Sequence, residues 1–224
     1  MKIKRFKELD STNIKAKEYD AGSVIVADVQ TKGHGRFSRQ WSSGIGGAWF
    51  SIVVEPEAKQ CQRLTFIAAI AARRAISKLC SLNCNVKWPN DIYANDKKLG
   101  GIFTECTLGA KNKCIIDIGI NVNNDLPNEL KEATSLKLLG CKVDKGDLIK
   151  QVVAEFENAI KEDFKKIVLE WKANSLYLNK NIRVETVNGS HTGKFIDVAD
   201  DCSMILKTLK DKIIKIVEGT VYPI

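Results

Sequence analysis

Residues 85–106, Asn85-NVKWPNDIYANDKKLGGIFTEC-Cys106, decide the fold class. Two β-like runs flank Asn95 and Asp96, a residue pair suited to a two-residue hairpin turn. Such a turn sets Ala94 opposite Lys97, Tyr93 opposite Lys98 and Asp91 opposite Gly100. Asp91, Tyr93 and Lys98 then share one side of a sheet, with Ile92, Leu99 and Phe103 on the other. Lys87 has the parity of Asp91, with Pro89 between them as a threat to the register. A face bearing Lys87, Asp91 and Lys98 beside Gly100 and Gly101 is not a packing surface, because the glycines let something approach the backbone closely. The plainer alternative is an outer face of solvated lysines.

Outward from this hairpin, SVIVADVQ (23–30) reads as a buried strand and AWFSIVVEP (48–56) as another, ended by Pro56. The stretch 61–80 carries apolar residues at helical spacing. In CIIDIGINVNN (114–124), Ile116, Ile118, Ile120 and Val122 alternate with Asp117, Gly119, Asn121 and Asn123. The pattern is helical again from Asp147 to Trp171. After Tyr177 it becomes short strands with turn signals at VNGS and ADDCS. Strands mostly follow one another or a single helix, so the expected class is α+β with a mixed, largely antiparallel sheet. The expected division is a catalytic domain at 1–177 and a small β domain at 178–224.

The chain has 224 residues, 44% hydrophobic and 28% charged, as expected of a globular protein with a sizeable core. No apolar run is long enough for a membrane helix, and MKIKRFKELD is no signal peptide. Seven cysteines, an odd number, read as reduced and mostly buried thiols rather than a disulfide framework. A cytoplasmic location follows as an expectation. With two histidines in the chain, a structural zinc at Cys80 and Cys84 is not expected.

The net charge of +8 is compatible with nucleic acid or with small anionic ligands. Its notable concentration is KGHGRFSRQW (32–41), where Lys32, Arg36 and Arg39 lie in a stretch without Asp or Glu from Asp28 to Glu55. Glycine amides and cations together suit an anion. No Gly-Lys-Ser/Thr ends the loop, and the dinucleotide fingerprint is absent, which excludes two familiar phosphate loops. A flexible basic surface loop is the alternative.

Taken together, DSTN, QTKGHGRFSRQWSS, GGAWFS, KWPNDIY, KKLGGIFTE and GINVN resemble, in order and spacing, the biotin–protein ligases. The resemblance covers nearly the whole chain and extends to EGTVYPI, similar to the closing strand of that family's small SH3-like β-barrel. It implies a class II synthetase-like catalytic domain that uses ATP and Mg2+. Biotin would be activated as biotinyl-5′-AMP, then transferred to a lysine on the biotin carboxyl carrier domain of a biotin-dependent carboxylase or decarboxylase.

By matching position, the resemblance assigns Ser11, Thr12, Asn13, Gln30, Gly33, His34, Gly35, Arg36, Lys98, Gly100 and Gly101 to biotin. It assigns Arg36, Arg39, Trp41, Lys87 and Asn121 to the nucleotide. Arg36, Lys87, Asp91 and Lys98 would carry catalysis, with no metal ligands assigned. Two residues depart from the family pattern. His34 stands where arginine is common, and Asp117 where glycine is. Asp117 has three open readings: a lysine partner, a metal neighbour, or a solvated carboxylate.

Only nine residues precede Asp10, so the resemblance is to a short form without an N-terminal DNA-binding domain, and no DNA or membrane partner is expected. A homodimer is expected from the resemblance alone. Competing readings are a lipoate–protein ligase, a thiol acyl transferase and a basic nucleic-acid-binding module. KWPND and the arginine loop favour biotin, no cysteine lies in the motifs, and the stacking stripes of a nucleic-acid binder are missing.

Overall fold

The computed structural model describes residues 1–224, apart from the side chain of Ser38. Seven strands build the main sheet: β1 (Lys2–Leu9), β2 (Ser23–Gln30), β3 (Ala48–Val54), β4 (Asn85–Lys87), β5 (Asp91–Ala94), β6 (Lys97–Thr107) and β7 (Lys113–Ile120). Their order is β1-β2-β3-β7-β6-β5-β4, and only the β1–β2 pair is parallel. The expected α+β class therefore holds. The short helix α1 (Thr12–Ala16) joins β1 to β2, with Ser11 capping its N-terminus.

Helix α2 (Leu64–Cys80) lays an alanine- and isoleucine-rich face on the sheet, where Phe50, Ile52, Ile116 and Ile118 are buried. The helical pattern of 147–171 resolves into two helices, α3 (Lys145–Ala159) and α4 (Phe164–Ala173). The break has a local cause: Asp163 caps α4 by accepting from the Lys165 amide at 3.0 Å. Arg74 of α2 then bridges Glu162 in the break and Glu170 of α4, each at 2.6 Å.

Five further strands, β8 (Asn181–Thr186), β9 (Gly189–Val198), β10 (Met204–Thr208), β11 (Ile213–Ile216) and β12 (Thr220–Pro223), form an antiparallel sheet in the order β11-β10-β9-β8-β12. Among the described residues no ladder joins β11 to β12, so the strand pairing does not close a barrel. Trp171 of α4 stacks on Phe66 at 4.6 Å and tilts against Phe195 of β9 at 6.4 Å. One hydrophobic core thus runs from the main sheet into the second sheet. Among the described residues no helix is long and apolar enough to cross a membrane.

Two expectations are corrected. The 94–97 turn forms with Asn95 and Asp96 both at positive φ, 48° and 58°. Tyr93 pairs with Lys98 as expected, but a bulge at Leu99 then sets Ile92 opposite Gly100 and Asp91 opposite Gly101. The extra residue reverses the parity of β6 beyond it, so Phe103 leaves the core face and joins Asp91. The second correction concerns the thiols. Cys80 is bonded to Cys141 and Cys106 to Cys114, leaving Cys61, Cys84 and Cys202 free. The β6–β7 register sets Cys106 directly opposite Cys114, and packing of the chain beyond β7 brings Cys141 to the end of α2.

Candidate active site

A cavity of about 310 Å³ opens on the face of the main sheet opposite α2. Its floor is set by strand pairing: Trp49 faces Gly119 and Ser51 faces Asp117 across β3–β7, while Gly101 faces Gly119 and Phe103 faces Asp117 across β6–β7. Of the residues expected at the site, Ser11, Thr12, Gln30, His34, Gly35, Arg36, Arg39, Trp41, Lys87, Asp91, Lys98, Gly101 and Asn121 line this cavity.

One end is a buried polar network. The Thr12 amide and hydroxyl both donate to Gln30 Oε1, at 2.7 and 3.0 Å, and Gln30 Nε2 donates to Ser43 Oγ at 2.9 Å. Ser51 Oγ lies 2.7 Å from Thr12 Oγ1 and 2.5 Å from Asp117 Oδ1. Asn13 Nδ2 donates to Asp117 Oδ2 at 2.8 Å. Asp117 thus has neither a lysine partner nor a solvated carboxylate. Its carboxyl is enclosed by Ser51 and Asn13, although the residue opens partly to the cavity. Burial pushes this carboxyl up to about 6 against the pull of its two hydrogen bonds.

The other end is cationic. Pro89 lies in the turn between β4 and β5, so the chain doubles back there and Lys87 pairs with Asp91 directly. Lys87 Nζ donates to Tyr93 Oη at 3.2 Å and lies over the rings of Tyr93 and Tyr177. Burial lowers its pKa against the opposing charge of Asp91, and burial raises that of the Tyr93 phenol. Lys98 Nζ sits 2.7 Å from Asp91 Oδ1, but outside hydrogen-bond geometry, so that buried oxygen has a charge partner and no hydrogen bond. The Arg36 guanidinium, its pKa also lowered by burial, reaches Asn90 Oδ1 and the Gly219 carbonyl at 3.4 Å each. Arg39 donates to Thr220 Oγ1 at 3.2 Å.

The loop between β2 and β3 folds over both ends. Gly33 and Trp41 meet at its base, the Trp41 amide donating to the Gly33 carbonyl at 2.9 Å, and the Gly35 amide donates to the Arg39 carbonyl at 2.8 Å. A Cβ at Gly33 would lie 2.5 Å from Ser43 Oγ and 2.6 Å from the Trp41 carbonyl, so glycine lets the loop close there. Phe37 at the loop tip has φ 56° and carries Arg36 over its ring at 4.8 Å. The Trp41 indole lies against Gly119 and Gly101; a Cβ on Gly119 would come within 2.7 Å of its Nε1. Lys98 Nζ is 5.2 Å from the Trp41 ring centroid.

Three expected residues lie off the cavity surface: Asn13, Gly33 and Gly100. Asn13 is buried beneath the floor and holds Asp117. Gly33 is the loop base, and Gly100 packs toward the Gly119 carbonyl, where a Cβ would approach to 2.7 Å. Asn121 borders the cavity, but its amide donates to the Thr134 carbonyl and accepts from Asn124, so its side chain is engaged in shaping the following segment.

That segment and the second sheet supply lining residues the sequence did not reveal. Leu126, Leu130 and Glu132 come from a stretch without regular structure, pinned to Lys98 by backbone bonds from Lys98 to Glu132 and from Thr134 to Lys98. Gly219 comes from just before β12, and Thr220 and Val221 from its start. Gly119 was legible as alternation, whereas Phe103 was not, because the bulge at Leu99 reverses the side it faces.

The sequence profile described as "Biotin/lipoate A/B protein ligase family" matches residues 3–123, and that described as "Biotin protein ligase C terminal domain" matches 177–222. A Bacillus subtilis protein named "Bifunctional ligase/repressor BirA" is 38% identical over 84% of this chain, which spans 62% of that relative's length. The human "Biotin--protein ligase" is 34% identical over 64% of this chain and 22% of its own. A solved Aquifex aeolicus biotin protein ligase, in complex with biotin and ATP, superposes with a TM-score of 0.86 at 29% identity, covering 99% of this chain and 97% of that one. With more than half of its length matched by the first profile, the chain belongs to the biotin/lipoate A/B protein ligase family.

Proposed function

We propose that this cavity binds biotin and ATP, joins them as biotinyl-5′-adenylate, and transfers the biotinyl group to a lysine of a carboxyl carrier domain. The observation that carries the reading is the joining, in one site, of a hydrogen-bonding end (Ser11, Thr12, Gln30) to a cationic end (Arg36, Lys87, Lys98). An end rich in hydrogen-bond donors and acceptors suits the ureido head of biotin. The cationic end suits its carboxylate and the phosphates, which would repel each other without a positive surround.

In the first step a carboxylate oxygen attacks the α-phosphorus, the α–β phosphoanhydride bond breaks, and pyrophosphate leaves. Lys98 and Arg36 hold the two reacting anions, and Lys87 adds charge from beneath, its buried ammonium fixed by Tyr93. Because these groups are already partly desolvated, little reorganisation opposes the charge that builds on the phosphate oxygens. Mg2+ would arrive with ATP and neutralise phosphate charge. Asp91, with a buried Oδ1 free of hydrogen bonds, is the carboxylate suited to it, as Mg2+ sites usually combine one or two carboxylates with phosphate oxygens and water. In the second step the carrier amine attacks the acyl carbon and AMP departs. The loop at 33–41, with Trp41 seated on Gly119, keeps water from the mixed anhydride between the steps.

Residues 1–177 would form the catalytic domain, and 178–224 a small unit that completes the wall through Gly219–Val221. The test is incubation of the protein with ATP, Mg2+ and biotin, with lipoate in parallel, followed by mass spectrometry. Biotinyl-AMP is the expected product. Lipoyl-AMP alone would move the chain to the lipoate branch of its family, and no adenylate from folded protein would refute the reading.

A further inference from the structure

Away from the cavity, Cys61, Cys106 and Cys114 bring three sulfurs within 4.8 Å of one another. We infer that, once the Cys106–Cys114 bond is reduced, these three side chains bind one thiophilic cation of the Zn2+, Cd2+ or Cu+ class as thiolates. Soft sulfur donors select such ions over Mg2+ or Ca2+. A Zn–S bond of about 2.3 Å places tetrahedral ligands roughly 3.8 Å apart. Cys61 Sγ and Cys114 Sγ already lie 3.6 Å apart. Reduction frees Cys106 Sγ to rotate to a similar spacing.

The three residues come from elements that are fixed independently of any ion. Cys106 and Cys114 are direct partners across β6–β7. Cys61 lies on the 3-10 turn Ala58–Arg63, which Glu57 and Gln60 close by a reciprocal capping box. That turn is tied to the hairpin by Asn112 Nδ2 donating to the Pro56 carbonyl at 3.1 Å. Cys114 is buried, while Cys61 and Cys106 are half-buried, which leaves an entry side and room for water as a fourth ligand. The balance is simple. A phosphine or dithiol reductant supplies two electrons, the disulfide takes up two protons as it becomes two thiols, and the cation displaces three thiol protons.

The experiment titrates Cd2+ into the full-length, phosphine-reduced protein under anaerobic conditions and follows thiolate-to-cadmium charge-transfer absorbance. Saturation at one equivalent is expected, with none in the oxidised protein. Cys61→Ser and Cys106→Ser, at half-buried positions, should each weaken binding at least about tenfold, since even outer-shell changes at metal sites reach that size. Circular dichroism verifies that both variants are folded. Cys80→Ser/Cys141→Ser should bind as the parent does. An absent saturable band, a Cys61→Ser titration superimposable on the parent, or loss of the band in the Cys80→Ser/Cys141→Ser protein would each overturn the inference.

Discussion

Asp117→Asn removes the hydrogen-bonded carboxyl of the cavity floor while keeping its shape, and the consequence is a change in how stability depends on pH. The folded-state pKa of Asp117 is raised by burial from 3.8 to about 6, so the native protein holds this proton where the unfolded chain has lost it. The stabilising contribution is full below pH 3.8 and disappears as pH rises through about 6. About 2 pH units at ~1.4 kcal/mol each give a fall of about 3 kcal/mol across that window. Ionisation also redirects the network, because Ser51 has one proton and two acceptors, Thr12 Oγ1 and Asp117 Oδ1. A charged Asp117 holds that proton, and Thr12 then has Ser51 as well as Gln30 to donate to.

Urea unfolding at intervals from pH 4 to 7.5 measures the effect. The stability of Asp117→Asn relative to the parent should rise by about 2–3 kcal/mol between the ends of the series. Parallel curves for the two proteins would refute the placement of an ionising carboxyl in this network.

Lys98→Ala should reduce the rate of biotin-dependent pyrophosphate release by about 10²–10³-fold, the size expected for a lost transition-state donor, and a loss under tenfold would argue against its role. Gly119→Val should expel the Trp41 indole, because its Cβ position lies 2.7 Å from Nε1. Acrylamide quenching of tryptophan emission should therefore increase, whereas Gly119→Val/Trp41→Phe should match Trp41→Phe. Trp171→Ala should destabilise the fold by about 3–5 kcal/mol in urea unfolding, since it empties the junction between Phe66 and Phe195. A cost below about 1.5 kcal/mol would show that the two sheets do not depend on a shared core.

Local chemistry was enough to read the strands, α2, the hairpin turn at Asn95-Asp96 and the cationic loop. Each depends on residues adjacent in sequence: β-branched runs, apolar residues at helical spacing, and side chains that accept positive φ. Strand alternation put Asp91 and Lys98, with Lys87 by parity, on one face, because it determines which neighbours share a side, whereas Arg36 was assigned to them by the resemblance of its loop motif. The break between α3 and α4 has a local signal in the Asp163 cap, but the apolar spacing runs on across it, and Arg74 of α2 reaches Glu162 and Glu170 from outside the segment.

The residues decided only by tertiary structure are those whose setting comes from distant chain. One bulge at Leu99 turned Phe103 toward the cavity, and pairing of β6 with β7 closed Cys106 onto Cys114. Asp117 carried three readings as a sequence position. Its partners Asn13 and Ser51 lie 104 and 66 residues away, and no local pattern fixes such a meeting. Gly219–Val221 joined the wall for the same reason, drawn to Arg36 and Arg39 from more than 180 residues away. The sequence determined the kind of elements and the motifs they carry, because those follow from short-range sterics and periodicity. The structure decided burial, charge state and the far wall of the cavity, because these depend on which remote surfaces exclude water together.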